Sequence, residues 1–253
     1  MIAGLSKTVA LYLTPVLALT AILLSVFAFL SPVIMLHDQV ALLTVTPSAS
    51  SFVQGSSGDV DGANLFLGLL GSCSRATNKA QLNCTGPTLS PVYDLSALPR
   101  NAPSLLLSPP SASTPAFIAI ALGFSVSFFF TFSLISFRHK MGERVSAALD
   151  KPLIQRVSAW IGFFGFLIGL TSFLIIRMWF GKAVQDFNHS IQIQGEQGPK
   201  LIATVGNAFT SEMPIILTRP STNKFKQVAW VAYAFYAIPV IFSMTKLNVK
   251  ASK

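Results

Sequence analysis

Four stretches of this 253-residue chain contain no Asp, Glu, Lys or Arg over lengths that match a lipid bilayer: Val9 to Leu36, Ala116 to Phe137, Val157 to Ile176 and Val228 to Met244. About 20 apolar residues cross a hydrocarbon core of about 30 Å as a helix, and inside that core every backbone N–H and C=O has to be bonded within the segment. Each stretch therefore reads as one membrane-spanning helix. The expected fold is an all-α membrane protein, a four-helix bundle forming a single domain over residues 1–253. Composition agrees, because 52% of the residues are hydrophobic and only 11% charged, a balance that water-soluble domains do not tolerate. Lys7 ahead of the first run also suits a signal peptide. A signal h-region has only about 7 to 15 residues, so the longer run here is read as an uncleaved first span.

The basic residues orient the spans. Of the 18 Lys and Arg, half fall in three short segments: Lys7 before the first span, Arg138, Lys140, Arg144, Lys151 and Arg156 between the second and third, and Lys246, Lys250 and Lys253 after the fourth. Dense Lys and Arg mark the cytosolic side. Both termini and the loop 138–156 are thus expected to be cytosolic, leaving outer loops at 37–115 and 177–227. The net charge of +9 is spread over loops on both sides rather than gathered into an aromatic-interleaved patch, which argues against nucleic acid as a partner. The inner basic residues suit anionic inner-leaflet lipids instead, at about 1 kcal/mol each.

The first outer loop holds the only two cysteines, Cys73 and Cys84. An oxidising, non-cytosolic compartment would let them pair. Asn83-Cys84-Thr85 and Asn188-His189-Ser190 are N-glycosylation sequons, both on the side assigned to the outside. Val40 to Val45, Ala63 to Leu70 and Ala80 to Cys84 have strand character. They predict a small extracellular β-sheet closed by one disulfide, whose loop constraint is worth about 3 kcal/mol in the chain-entropy model. The Pro- and Ser-rich stretch around Pro109 to Ser113 predicts an irregular return to the second span.

The third span is expected to continue as a helix beyond the bilayer. Trp179, Ala183, Phe187 and Ile191 recur at spacings of four after Arg177. Within the span, Ser158, Gly162, Gly165 and Gly169 share one helix face, and Gly165-xxx-Gly169 is a spacing that lets helix backbones approach closely. A second helix of the same chain or another copy could fill that face, and a four-helix bundle favours the former. Gly195 to Lys226 has mixed polarity and gives no clear element.

No span carries a charged side chain of the sort that binds ions or relays protons. His37 reads as part of a solvated helix end beside Asp38, and His139 and His189 are assigned to opposite sides of the membrane. No Ser/His/Asp cluster, phosphate loop or zinc spacing is present. The expectation is a non-enzymatic protein without cofactor or metal, whose partners are the bilayer and other membrane proteins or copies of itself.

Gly68-Leu69-Leu70-Gly71-Ser72-Cys73, with Cys84 following, combined with four spans and cytosolic termini, resembles the claudin-like membrane proteins. Claudins carry Trp and Gly-Leu-Trp ahead of their two cysteines, whereas here Phe66 or Leu67 and Gly68-Leu69-Leu70 stand in those places. The chain is more similar to the fungal SUR7/PalI family, in which Gly-x-x-Gly-x-Cys precedes a second Cys and a Tyr-containing segment like Pro91-Val92-Tyr93-Asp94-Leu95. That resemblance implies a plasma-membrane scaffold that organises cortical domains such as eisosomes and is linked to the cell wall and stress response. The Fig1-like family shares the signature and implies instead a regulator of calcium influx. PalI-like proteins imply ambient-pH signalling, and an accessory subunit of a larger membrane complex is a further reading.

Overall fold

The charge-free runs form helices, because in a continuous apolar segment the helix alone satisfies every backbone group locally, although the first helix ends at Leu30, short of the run's end, where Ser31-Pro32 turns the chain. The computed structural model describes residues 2–35, 37, 40–47, 62–149, 151–195, 199, 201–205 and 228–251. Helix α1 (Ile2–Leu30) is followed by strands β1 (Leu43–Pro47), β2 (Asn64–Leu67), β3 (Ser72–Arg75) and β4 (Asn83–Cys84). Helices α2 (Ser113–Ser136), α3 (Glu143–Leu149) and α4 (Pro152–Gln194) come next, then strand β5 (Leu201–Val205) and helix α5 (Val228–Ala251). Among the described residues, Tyr12–Leu30, α2 and α4 are long and apolar enough to cross a membrane. The fourth run forms a shorter apolar helix, Ala229–Thr245, because Lys246 ends its apolar sequence.

Two compact units make up the chain. One comprises Met1–Val26, Phe117–Phe173 and Ala229–Lys253, and the other Phe27–Ala116 and Leu174–Val228.

The first unit is helical. Its buried centre is Ala21, Phe128, Phe132, Tyr236 and Val240, with Ile161, Phe163 and Phe166 packed against it. Phe128 meets Tyr236 edge-on at 5.7 Å between ring centroids, and Phe166 stacks on Tyr236 at 6.3 Å. The small-residue face of α4 receives these rings. A Cβ at Gly162 would lie 2.6 Å from the Phe128 ring, one at Gly165 would lie 3.0 Å from Cβ of Phe124, and one at Gly169 would overlap the Tyr233 hydroxyl. Ser158 completes the row through a 2.8 Å hydrogen bond between its hydroxyl and that of Thr131. The face is thus filled within the chain, by α2 and α5. Gly169→Leu should destabilise the protein by about 1–3 kcal/mol through overpacking, measured as a lower unfolding temperature in detergent. Phe164→Leu, at a half-exposed ring, should leave that temperature nearly unchanged.

The second unit is built on a five-stranded antiparallel sheet of order β4-β3-β2-β1-β5. Period-2 alternation gives it two distinct faces. Leu43 pairs with Leu67 and Val205, and Val45 with Leu65 and Ala203, so one face is aliphatic. The other carries Thr44 against Phe66 and Thr204, and Phe66 against Cys73. Strand β5 falls in the segment whose sequence gave no clear element. It adds to β1 with five paired residues, and the hydroxyls of Thr44 and Thr204 bond across the pair at 2.7 Å.

Candidate functional site

The segment that carries the family resemblance forms the buried hinge of the second unit. Strands β2 and β3 are joined by Gly68-Leu69-Leu70-Gly71, where Gly68 N–H donates to the Gly71 carbonyl at 2.9 Å. Hairpin tips are ordinarily polar and exposed. This one buries both Leu69 and Leu70, so it has to dock against the rest of the unit. The two glycines make that approach possible: a Cβ at Gly68 would overlap the Ser31 carbonyl and the Pro32 ring, and one at Gly71 would overlap the Thr85 hydroxyl and reach Val33 at 3.0 Å.

Docking a turn in this way takes its carbonyls away from water, and donors from a later segment reach two of them. The Tyr93 hydroxyl donates to the Gly68 carbonyl at 2.7 Å, and Thr88 N–H to the Leu70 carbonyl at 2.9 Å. Burial pushes the Tyr93 phenol well above its ordinary range, so it remains a donor at any physiological pH. The next residue continues the strap: Asp94 N–H donates to the Ser72 hydroxyl at 2.8 Å. The Ser96 hydroxyl, and then Ser96 N–H at 3.0 Å, hold the Asp94 carboxyl below its usual range. Tyr93 and Asp94 thereby have a physical role in fastening the turn, which the sequence marked only through its Tyr-containing segment.

Cys73 and Cys84 face each other in the β3–β4 register and are joined by a disulfide. The bridge lies with Ala41, Phe66 and Leu82. Arg75, two residue pairs along, holds its guanidinium over the Phe66 ring at 5.8 Å. His37 approaches from the end of the segment after α1, with Nδ1 2.5 Å from the Pro32 carbonyl and 4.0 Å from Cys84 Sγ. The three donor atoms of His37, Cys73 and Cys84 lie within 4.8 Å of one another. A metal would need thiolate ligands, and sulfurs joined to each other offer none. In this state the group acts as a clamp. Asp38, its sequence neighbour, lies outside the described residues.

The two sequons have different surroundings. Asn83 is exposed on β4, at one edge of the sheet. Asn188 lies inside α4 and is half-buried, where its amide donates to the Ala203 carbonyl at 2.8 Å and its Oδ1 accepts from Ala203 N–H at 2.8 Å. Through these two bonds the Asn188 side chain fastens β5 to the helix. Asn188→Ala should cost about 1–3 kcal/mol by leaving Ala203 without its partner. Faster hydrogen exchange confined to β5 would be its signature.

The extension of α4 beyond the third span is present, but its buried register differs from the predicted stripe. Ile176, Phe180 and Phe187 are fully buried, whereas Trp179 is 46% exposed and donates from Nε1 to the Ser108 carbonyl at 3.3 Å. Spacings of three and four alternate along a buried helix face, and a strict step of four drifts off it. A scan against protein-family models and a search of curated proteins return no match to this chain.

Proposed function

We propose that this chain is a non-enzymatic, four-span organiser of plasma-membrane domains of the SUR7/PalI type, with both termini cytosolic. One observation carries the reading. The residues of its signature, Gly68, Leu69, Gly71, Cys73, Cys84 and Tyr93, all serve as joints of a single outer unit, through docking, hydrogen bonding and a disulfide. Such a unit presents a stiff surface for lateral or outward contacts. The basic loop around Arg138, Lys140 and Arg144 suits the anionic inner leaflet.

The test is localisation in living cells. A fluorescently tagged chain should form static cortical patches that recover slowly after bleaching, and mild-detergent purification should retain a reproducible set of membrane proteins. A uniformly mobile chain whose deletion abolishes a calcium transient would replace this reading with that of an influx regulator. Orientation is checked by impermeant thiol labelling, which should reach Ser96→Cys and miss Ala147→Cys.

A further inference from the structure

Just past the third span, α4 carries a cleft of about 210 Å³, walled by Trp179, Lys182 and Asp186 on the helix and by Leu105 and Leu106 on the short turn Ser104–Leu106. Leu105 is 93% exposed, although the hydrogen bond from Trp179 Nε1 to Ser108 fastens its segment to the helix. A leucine held out in this way beside a tryptophan, three residues past the end of a charge-free span, has the chemistry of a bilayer interface. Neither Lys182 nor Asp186 has an ion-pair partner among the described residues.

The order of these groups along α4 names the occupant. At about 1.5 Å per residue, Lys182 stands about 4.5 Å and Asp186 about 10 Å farther from the span than Trp179. Going outward, the cleft thus presents apolar, cationic and anionic groups in turn. A zwitterionic phospholipid presents acyl chain, phosphate and ammonium in the same order, whereas an anionic phospholipid lacks the last. From this geometry we infer that the cleft binds one zwitterionic phospholipid of the adjoining leaflet: an acyl chain lies on Leu105, Leu106 and Trp179, the phosphate meets Lys182 and the ammonium meets Asp186. The order is a property of the helix and holds whichever side of the membrane the cleft faces.

Native mass spectrometry of the full chain in detergent, titrated with phosphatidylethanolamine or phosphatidylglycerol, tests this site independently of any organising role. One phosphatidylethanolamine should be retained in preference to phosphatidylglycerol. Asp186→Asn should erase that preference, Lys182→Gln should weaken retention of both lipids about fivefold, and Leu105→Asn should do the same for both. Leu105 is exposed enough that its variant keeps the parent unfolding temperature, which is measured alongside. Equal retention of the two lipids by the parent protein, no retained lipid, or retention unmoved by all three variants would each overturn the assignment.

Discussion

Gly68→Ala is expected to lower the unfolding temperature in detergent sharply, while Gly86→Ala leaves it unchanged. The added methyl group at Gly68 would overlap the Ser31 carbonyl and the Pro32 ring. These are backbone and ring atoms, which have no flexible end to swing aside, so relief requires the whole Gly68–Gly71 turn to withdraw. Withdrawal would separate the Gly68 carbonyl from Tyr93 and return Leu69 and Leu70 to water. Overpacking alone costs about 1–3 kcal/mol, and the exposed leucines add to it at about 1.5–3 kcal/mol each when fully transferred. Domains of ordinary stability have only about 5–15 kcal/mol in total. At Gly86 an added Cβ meets nothing within 4 Å. Thermal unfolding in detergent measures both variants, and equal behaviour of the two would mean that the turn is not seated as described.

Cys73→Ser should have the next largest effect, and Cys73→Ser/Cys84→Ser should match it rather than double it. The bridge spans a sequence separation of 11, and its loss removes about 3 kcal/mol of constraint on the unfolded chain in the entropy model. It also puts a hydroxyl at a fully buried position beside Ala41 and Phe66. Because the bond is one unit, deleting either end removes all of it, and the second substitution has nothing left to break. The expected readout is retention in the secretory pathway with a lowered unfolding temperature. Mass analysis of unreduced peptides from surface protein should give a single Cys73–Cys84 species, and free thiols there would contradict it.

The parts of the structure that the sequence discloses are those governed by local rules. Charge-free runs locate the helices because water and hydrocarbon sort residues without regard to tertiary context. Strands β1, β2 and β4 are legible as apolar runs, whereas the polar β3, Ser72–Arg75, lies between two of those runs and is recognised only by its pairing. Strand β5 is not: Leu201–Val205 is five residues long, and its partner β1 lies more than 150 residues earlier. Asn188 illustrates a different limit, since a sequon describes a sequence, whereas a bidentate clamp on Ala203 exists only once that distant strand has arrived. The burial of Phe180 in place of Trp179 was hidden for a similar reason, because either register is apolar and only the docked sheet selects between them. The glycines of the signature could be seen but not explained, as the segment that excludes their side chains, Ser31 to Val33, is set by the end of α1.

The strand order β4-β3-β2-β1-β5 also sets a timetable for biosynthesis. The ribosome delivers β1 to β4 before α2, whereas β5 emerges only after α4 has been made. Until then β1 is an edge strand with its hydrogen-bonding groups uncovered, open to pairing with any other chain. A nascent protein stalled before residue 201 would therefore display β1 as a raw edge, and arrival of β5 would replace it with an edge fastened to α4 through Asn188 and Ala203. A chain truncated after α4 should consequently remain bound to chaperones, while the same chain supplied with the β5 segment on a tether should be released.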